Sequence, residues 1–205
     1  MWTPESLAAP WPLGPCERRL IRNSKTAWGS VSRGLHWAAA AFVFVLLLHG
    51  WWMVQFAARA DRFGHYTWHA SVGYFFLLVM ILRLAWRWAN AVPEPSSGAR
   101  AWERWAASLG HWGLYALIFA GSVSGWALAG TFRRPLDTTL FGSLRVPGIV
   151  TDRSLHEQLE SAHTALAWAL AILTLVHVLA AFYHLIFRND GVMQRMLPGA
   201  GERKN

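Results

Sequence analysis

Nine histidines stand in a chain of 205 residues, and the spacing of a few of them is chemically specific. His163 and His177 lie fourteen residues apart inside one apolar run. On a helix they fall within about 40° of one angle and about 21 Å apart along the axis. One helix thus offers an imidazole in each half of a bilayer, both on the face turned to its neighbours. Ionisable side chains inside a span are costly, which makes them functional candidates by default. Zinc cannot use this arrangement, because its ligands converge on one point at about 2 Å. Two haems stacked across the membrane can use it, each taking one imidazole.

Four stretches are long enough to position such ligands, since a span needs about 20 apolar residues. They cover residues 34–57, 66–88, 109–131 and 163–187, the last with a lead-in turn from Ser154. The Pro- and Gly-bearing segment 91–100 reads as a loop, and 133–153 is the one long loop between spans. Depth then chooses the second ligands. The first helix opens with His36 at the side of the termini, level with His177 on the returning fourth helix. The second helix opens with His69 at the opposite side, level with His163. The pairs are therefore His36 with His177 and His69 with His163.

Neighbouring residues suit this reading. Gly73 follows His69 by one turn on the same face, and Ala39 and Ala40 flank the turn above His36, leaving room for a flat macrocycle. Arg33, one turn before His36, is placed to pair with a haem propionate. Gly121 and Gly125 in GSVSG form a small-xxx-small pair that serves close helix packing. Among the other histidines, His49 faces away from His36, toward a neighbour or the interface. His184 reads as interfacial and near a propionate, His156 as lying ahead of the lipid core, and His65 as a loop residue. His111 suits a propionate, a quinone or simple packing. Met80 shares the face of His69, where packing outweighs ligation.

Composition agrees with a lipid environment. Hydrophobic residues make up 54% and charged residues 15%, mean hydropathy is +0.24, and there are 14 Trp; soluble domains carry about 25% charge. The net charge of +8 and pI near 10.8 come without a nucleic-acid motif, so nucleic acid is excluded as a partner. About two-thirds of the 19 Lys and Arg residues fall on the side of the termini, which the positive-inside rule places in the cytoplasm. The single Cys16 excludes an internal disulfide and the C-x-x-C-H attachment of covalent haem, and reads as a free thiol. Residues 1–15 lack the pattern of a signal peptide. The expected class is an all-α integral membrane four-helix bundle with both termini cytoplasmic. A loose tail over 1–25, a transmembrane domain over 26–198 and a tail over 199–205 complete the expected organisation.

Particular segments also resemble those of the bacterial cytochrome b561 family. They are WGSVSRGLHW (28–37), HASVG with LRLAWRW (69–88), LGHWGLY (109–115), FGSLRVPG (141–148), and the run from His163 through His177 and His184 to RNDGVMQRMLP (188–198). The third helix departs from many relatives in lacking a proline before the second glycine of GSVSG. The resemblance implies b-haems with two histidine ligands each, drawn from the first, second and fourth helices. That agrees with His36, His69, His163 and His177 as axial ligands of iron.

The expected function is electron transfer between a donor on the outer side and the quinone pool of a bacterial inner membrane. The resemblance implies ubiquinone as acceptor and superoxide as one donor, an activity of the superoxide:ubiquinone oxidoreductase type. Arg133, Arg134, Arg145 and Arg153 in the long loop either steer such an anion or are ordinary loop arginines. The alternative is a cytochrome b anchor that exchanges electrons with a separate dehydrogenase, hydrogenase or cytochrome c.

Overall fold

Four long helices carry the chain back and forth in the computed structural model, which describes residues 21–95, 98–134, 136, 138–140 and 142–197. Cys16, most of the expected N-terminal tail and the C-terminal tail lie outside the described residues. The helices are α1 (Ser30–Gln55), α2 (Arg62–Trp88), α3 (Ala101–Ala129) and α4 (His156–Tyr183). Each is long and apolar enough to cross a membrane, and the protein is a four-helix, multi-pass membrane bundle.

Helix ends follow local chemistry. α3 begins eight residues before the expected span, because its first turns, AWERWAAS, are helical without being wholly apolar. The Glu103 carboxylate accepts the Arg100 backbone N–H at 2.7 Å and closes that end. A short 3₁₀ turn, Arg153–Leu155, leads into α4. There the Asp152 carboxylate accepts from the Ser154 N–H at 2.9 Å and from its hydroxyl at 2.8 Å. Those two bonds hold the Asp152 carboxyl below its usual range. A π-helical turn, His184–Arg188, prolongs α4.

α1 packs along α2, α2 along α3, and most extensively α3 along α4. A small core closes the middle of the bundle: Ala39 and Val43 of α1, Phe76 and Met80 of α2, Tyr115 and Ile118 of α3, and Leu170 of α4. Met80 is 2% exposed and sits in this packing. Outward-facing Leu48, Leu82, Ile172 and Leu179 are exposed, as a helix surrounded by lipid requires.

The two ends are tied differently. At the end of residues 21 and 197, the Asn23 side chain accepts from the Gly29 N–H at 3.0 Å and the Ser32 hydroxyl at 2.6 Å, and donates to the Ala91 carbonyl at 2.8 Å. Residues 21–25, the edge of the expected loose tail, are therefore held. At the opposite, loop end, the 133–153 segment contains a hairpin that the sequence did not signal: β1 (Thr139–Leu140) pairs antiparallel with β2 (Leu144–Arg145). Gly130 and Gly148 press backbone to backbone, where a Cβ on either would collide. The Trp126 indole donates to the Pro147 carbonyl at 2.8 Å.

Candidate functional site

α4 presents its two histidines to different partners. His177 faces His36 of α1 with ring centres 6.3 Å apart, and His163 faces His69 of α2, also at 6.3 Å. Two imidazoles on opposite sides of one metal, each nitrogen about 2 Å from it and about 1 Å from its ring centre, lie about 6 Å apart. Both pairs have that span. The core residues lie between the two levels, so the pairs occupy opposite halves of the bundle. Among the described residues, no three His, Cys, Asp or Glu side chains form a metal-binding group.

The loop-end pair sits in space made by glycine. A Cβ on Gly125 would stand 2.9 Å from the His163 ring, and one on Gly50 would stand 3.2 Å from the His69 ring. A Cβ on Gly73 or Gly121 would meet nothing within 4 Å. Gly125 of GSVSG thus makes room for His163, beyond the helix packing expected of it. His163 Nδ1 lies 3.1 Å from the Gly121 carbonyl and 3.1 Å from the Ser124 hydroxyl. Donation to that carbonyl puts the proton on Nδ1 and frees Nε2 for iron. The buried Nδ1 of His69 has no partner. A cavity of about 390 Å³ opens here, lined by all four helices and including Val43, Phe76, Leu117 and Ala167 beside the two histidines. An apolar cavity with an imidazole on either side and an orphaned ring nitrogen suits a haem.

Two further histidines gather at this end. His49 stacks on His69 at 5.8 Å with planes 17° apart, and His65 lies 5.5 Å from His49. His49 does face a neighbour. His65, expected in a loop, instead belongs to the first turn of α2. His156 pairs with the Thr131 hydroxyl at 2.7 Å.

The terminus-end pair has cationic neighbours. Arg83 Nη2 lies 3.0 Å from His36 Nδ1, and Arg83 Nε donates to the Tyr115 hydroxyl at 3.1 Å. His111 lies 5.6 Å from His177, and the Arg87 guanidinium covers the Trp112 ring at 5.6 Å. Arg83 escaped the sequence reading, although a signal was present. It follows His69 by fourteen residues, the same spacing that sets His163 and His177 on one face. Arg33 Nη1 donates to the Leu197 carbonyl at 3.2 Å. His184 is bound to the Asp190 carboxylate at 2.7 Å. Burial pushes the Asp190 carboxyl up, but the bonds from His184 and the Val192 N–H, with the charges of His184 and Arg188, hold it below its usual range.

Comparison with known families matches residues 27–199 to prokaryotic cytochrome b561. Cytochrome b561 homolog 2 of Escherichia coli (strain K12) is 29% identical over 178 residues, covering 85% of this chain and 93% of that protein. A Yersinia pestis protein named Probable superoxide oxidase CybB is 27% identical over 173 residues, covering 80% of this chain and 92% of its own length.

Proposed function

The chain belongs to the prokaryotic cytochrome b561 family, a membrane b-type cytochrome of electron transfer, and from that premise we propose that it holds two haems b and passes electrons from superoxide to ubiquinone. His36 with His177, and His69 with His163, are the axial ligands in this reading. The observation that carries it is the repetition of one 6.3 Å histidine–histidine span at two depths. Bound haem supplies a one-electron couple at each depth; the chain supplies everything else. Gly121 and Ser124 orient His163. The core from Ala39 to Leu170 separates the two levels and keeps water out of the path between them.

The excess of Lys and Arg at the terminus end supports a cytoplasmic position for that end in a bacterial inner membrane. Superoxide then approaches the loop end. Arg134 is fixed over the Phe63 ring at 4.6 Å, and Arg153 donates to the Arg133 carbonyl at 3.2 Å. These contacts anchor cations around the mouth, where they raise the encounter rate of a small anion. Two superoxide ions each give up one electron and leave as dioxygen. The two electrons, with two protons, convert ubiquinone to ubiquinol. Arg33 gives one donor to the Leu197 carbonyl and keeps its others for the propionate role expected of it. The test is rapid mixing of the purified protein with superoxide, then with ubiquinone. Haem reduction followed by reoxidation is expected. No reduction at any salt concentration would end the superoxide reading and leave a redox protein partner as the donor.

A further inference from the structure

Arg83 enters the bundle from α2 and, among the described residues, forms no ion pair with an acidic side chain. Its Nε is held by the Tyr115 hydroxyl and its Nη2 by His36, while its buried Nη1 has no partner. Among the described residues, the acidic side chains in ion pairs are Glu103 and Asp190, which serve Arg188 and His184. Neither Arg83 nor Arg87 has an acidic partner there. A guanidinium within a membrane bundle, beside three imidazoles and a second guanidinium, is a strong reason for an anion to be present.

The contact with His36 adds a second constraint. A guanidinium only donates, so His36 Nδ1 accepts in this arrangement. Once His36 binds iron, Nδ1 is no longer a free acceptor. If it is the ligating nitrogen, its lone pair is on the metal; if not, it carries the ring proton. With iron on His36, Arg83 therefore has two donor groups, Nη1 and Nη2, to satisfy. The planar fork of arginine matches a carboxylate with two parallel bonds.

We propose that Arg83 clamps a propionate carboxylate of the terminus-end haem. The inference rests on the two-haem reading. It gives a carboxylate-binding role to a residue inside the bundle, beside the role expected of Arg33 at the helix end. Its chemistry is recognition of a carboxylate, which a free small anion shares, and the test separates the two.

The full-length, haem-loaded protein is compared with Arg83→Gln and Arg83→Lys by potentiometric titration and by resonance Raman spectroscopy of the propionate bending band. Loss of the cation leaves a propionate unneutralised and disfavours the reduced haem. In Arg83→Gln the expected result is a lower midpoint potential for one haem, an unchanged potential for the other, and a shifted propionate band. If Arg83→Gln sheds one haem, Arg83→Lys decides. Retention of two haems with a displaced propionate band supports the clamp, because lysine keeps the charge without the fork. Loss of that haem in Arg83→Lys as well, or an unmoved band in a variant with two haems, overturns it. A potential that follows added acetate while the propionate band stays fixed would put a free anion on Arg83, also against the proposal. Haem content of the unmutated protein is read in the same samples. One haem per chain would overturn the two-haem reading and the clamp together, whereas two haems with an unmoved band would overturn the clamp alone.

Discussion

The two histidine pairs have the same span but opposite surroundings. At the loop end, His69 and His163 stand among glycines, apolar side chains and the neutral ring of His49, with a backbone carbonyl orienting one ring and, among the described residues, no arginine beside either. At the terminus end, His36 and His177 stand among Arg83, Arg87 and His111. The first site is arranged by the removal of side chains, and the second by the placement of charge. One fold can thus give two histidine pairs of equal span different electrical environments. A nearby cation favours the reduced state of a redox centre, so the proposed two-haem arrangement predicts a higher midpoint potential at the terminus end.

The largest effects should come from the ligands. His69→Ala or His163→Ala should remove the loop-end haem and about half of the haem absorbance, leaving a spectrum of the other site. His36→Ala or His177→Ala should do the converse. Loss of a haem in His49→Ala would instead promote the stacked neighbour of His69 to a ligand.

Steric change should separate the sites nearly as well. Gly125→Val drives a branched side chain into the His163 ring and should cost the loop-end haem while sparing the other. Gly64→Ala, where a Cβ meets nothing within 4 Å, should leave both; haem content by extraction into pyridine reads each result. Changing Arg133, Arg134, Arg145 and Arg153 together to Gln should slow reduction by superoxide several-fold and flatten its salt dependence, without altering the spectrum.

The smallest effect concerns the clamp beyond α4. The Asp190 carboxyl lies below its usual range in the folded protein, so its stabilisation is present above the unfolded value of about 4 and is lost as pH falls through the folded value. Asp190→Asn should lower the melting temperature by a few degrees at neutral pH, on the order of 1 kcal/mol, and keep both haems. The difference from the unmutated protein should vanish in strong acid.

The spans were legible because apolar length is a direct requirement of the bilayer, and the histidine pairs because helical phase and depth follow from residue number. The cap of α3 was less legible, since a helix continues past the hydrocarbon through residues such as Glu103 that no hydropathy window selects. The hairpin at 139–145 was hidden because two-residue strands carry no periodicity. Arg83 was readable in principle. It lies near the end of a span, where a basic residue is ordinary, but its phase with His69 turns it inward. The role of Gly125 needed the structure, because small residues along a helix look alike until the side chain that occupies their space is known.

Haem content of paired double variants tests the central claim most directly. With ligands paired by depth, the His36→Ala, His177→Ala double variant should keep one haem per chain, as should the His69→Ala, His163→Ala double. The crossed double, His36→Ala with His69→Ala, should keep none. A crossed double that retains a haem, beside a same-depth double that loses both, would contradict the pairing.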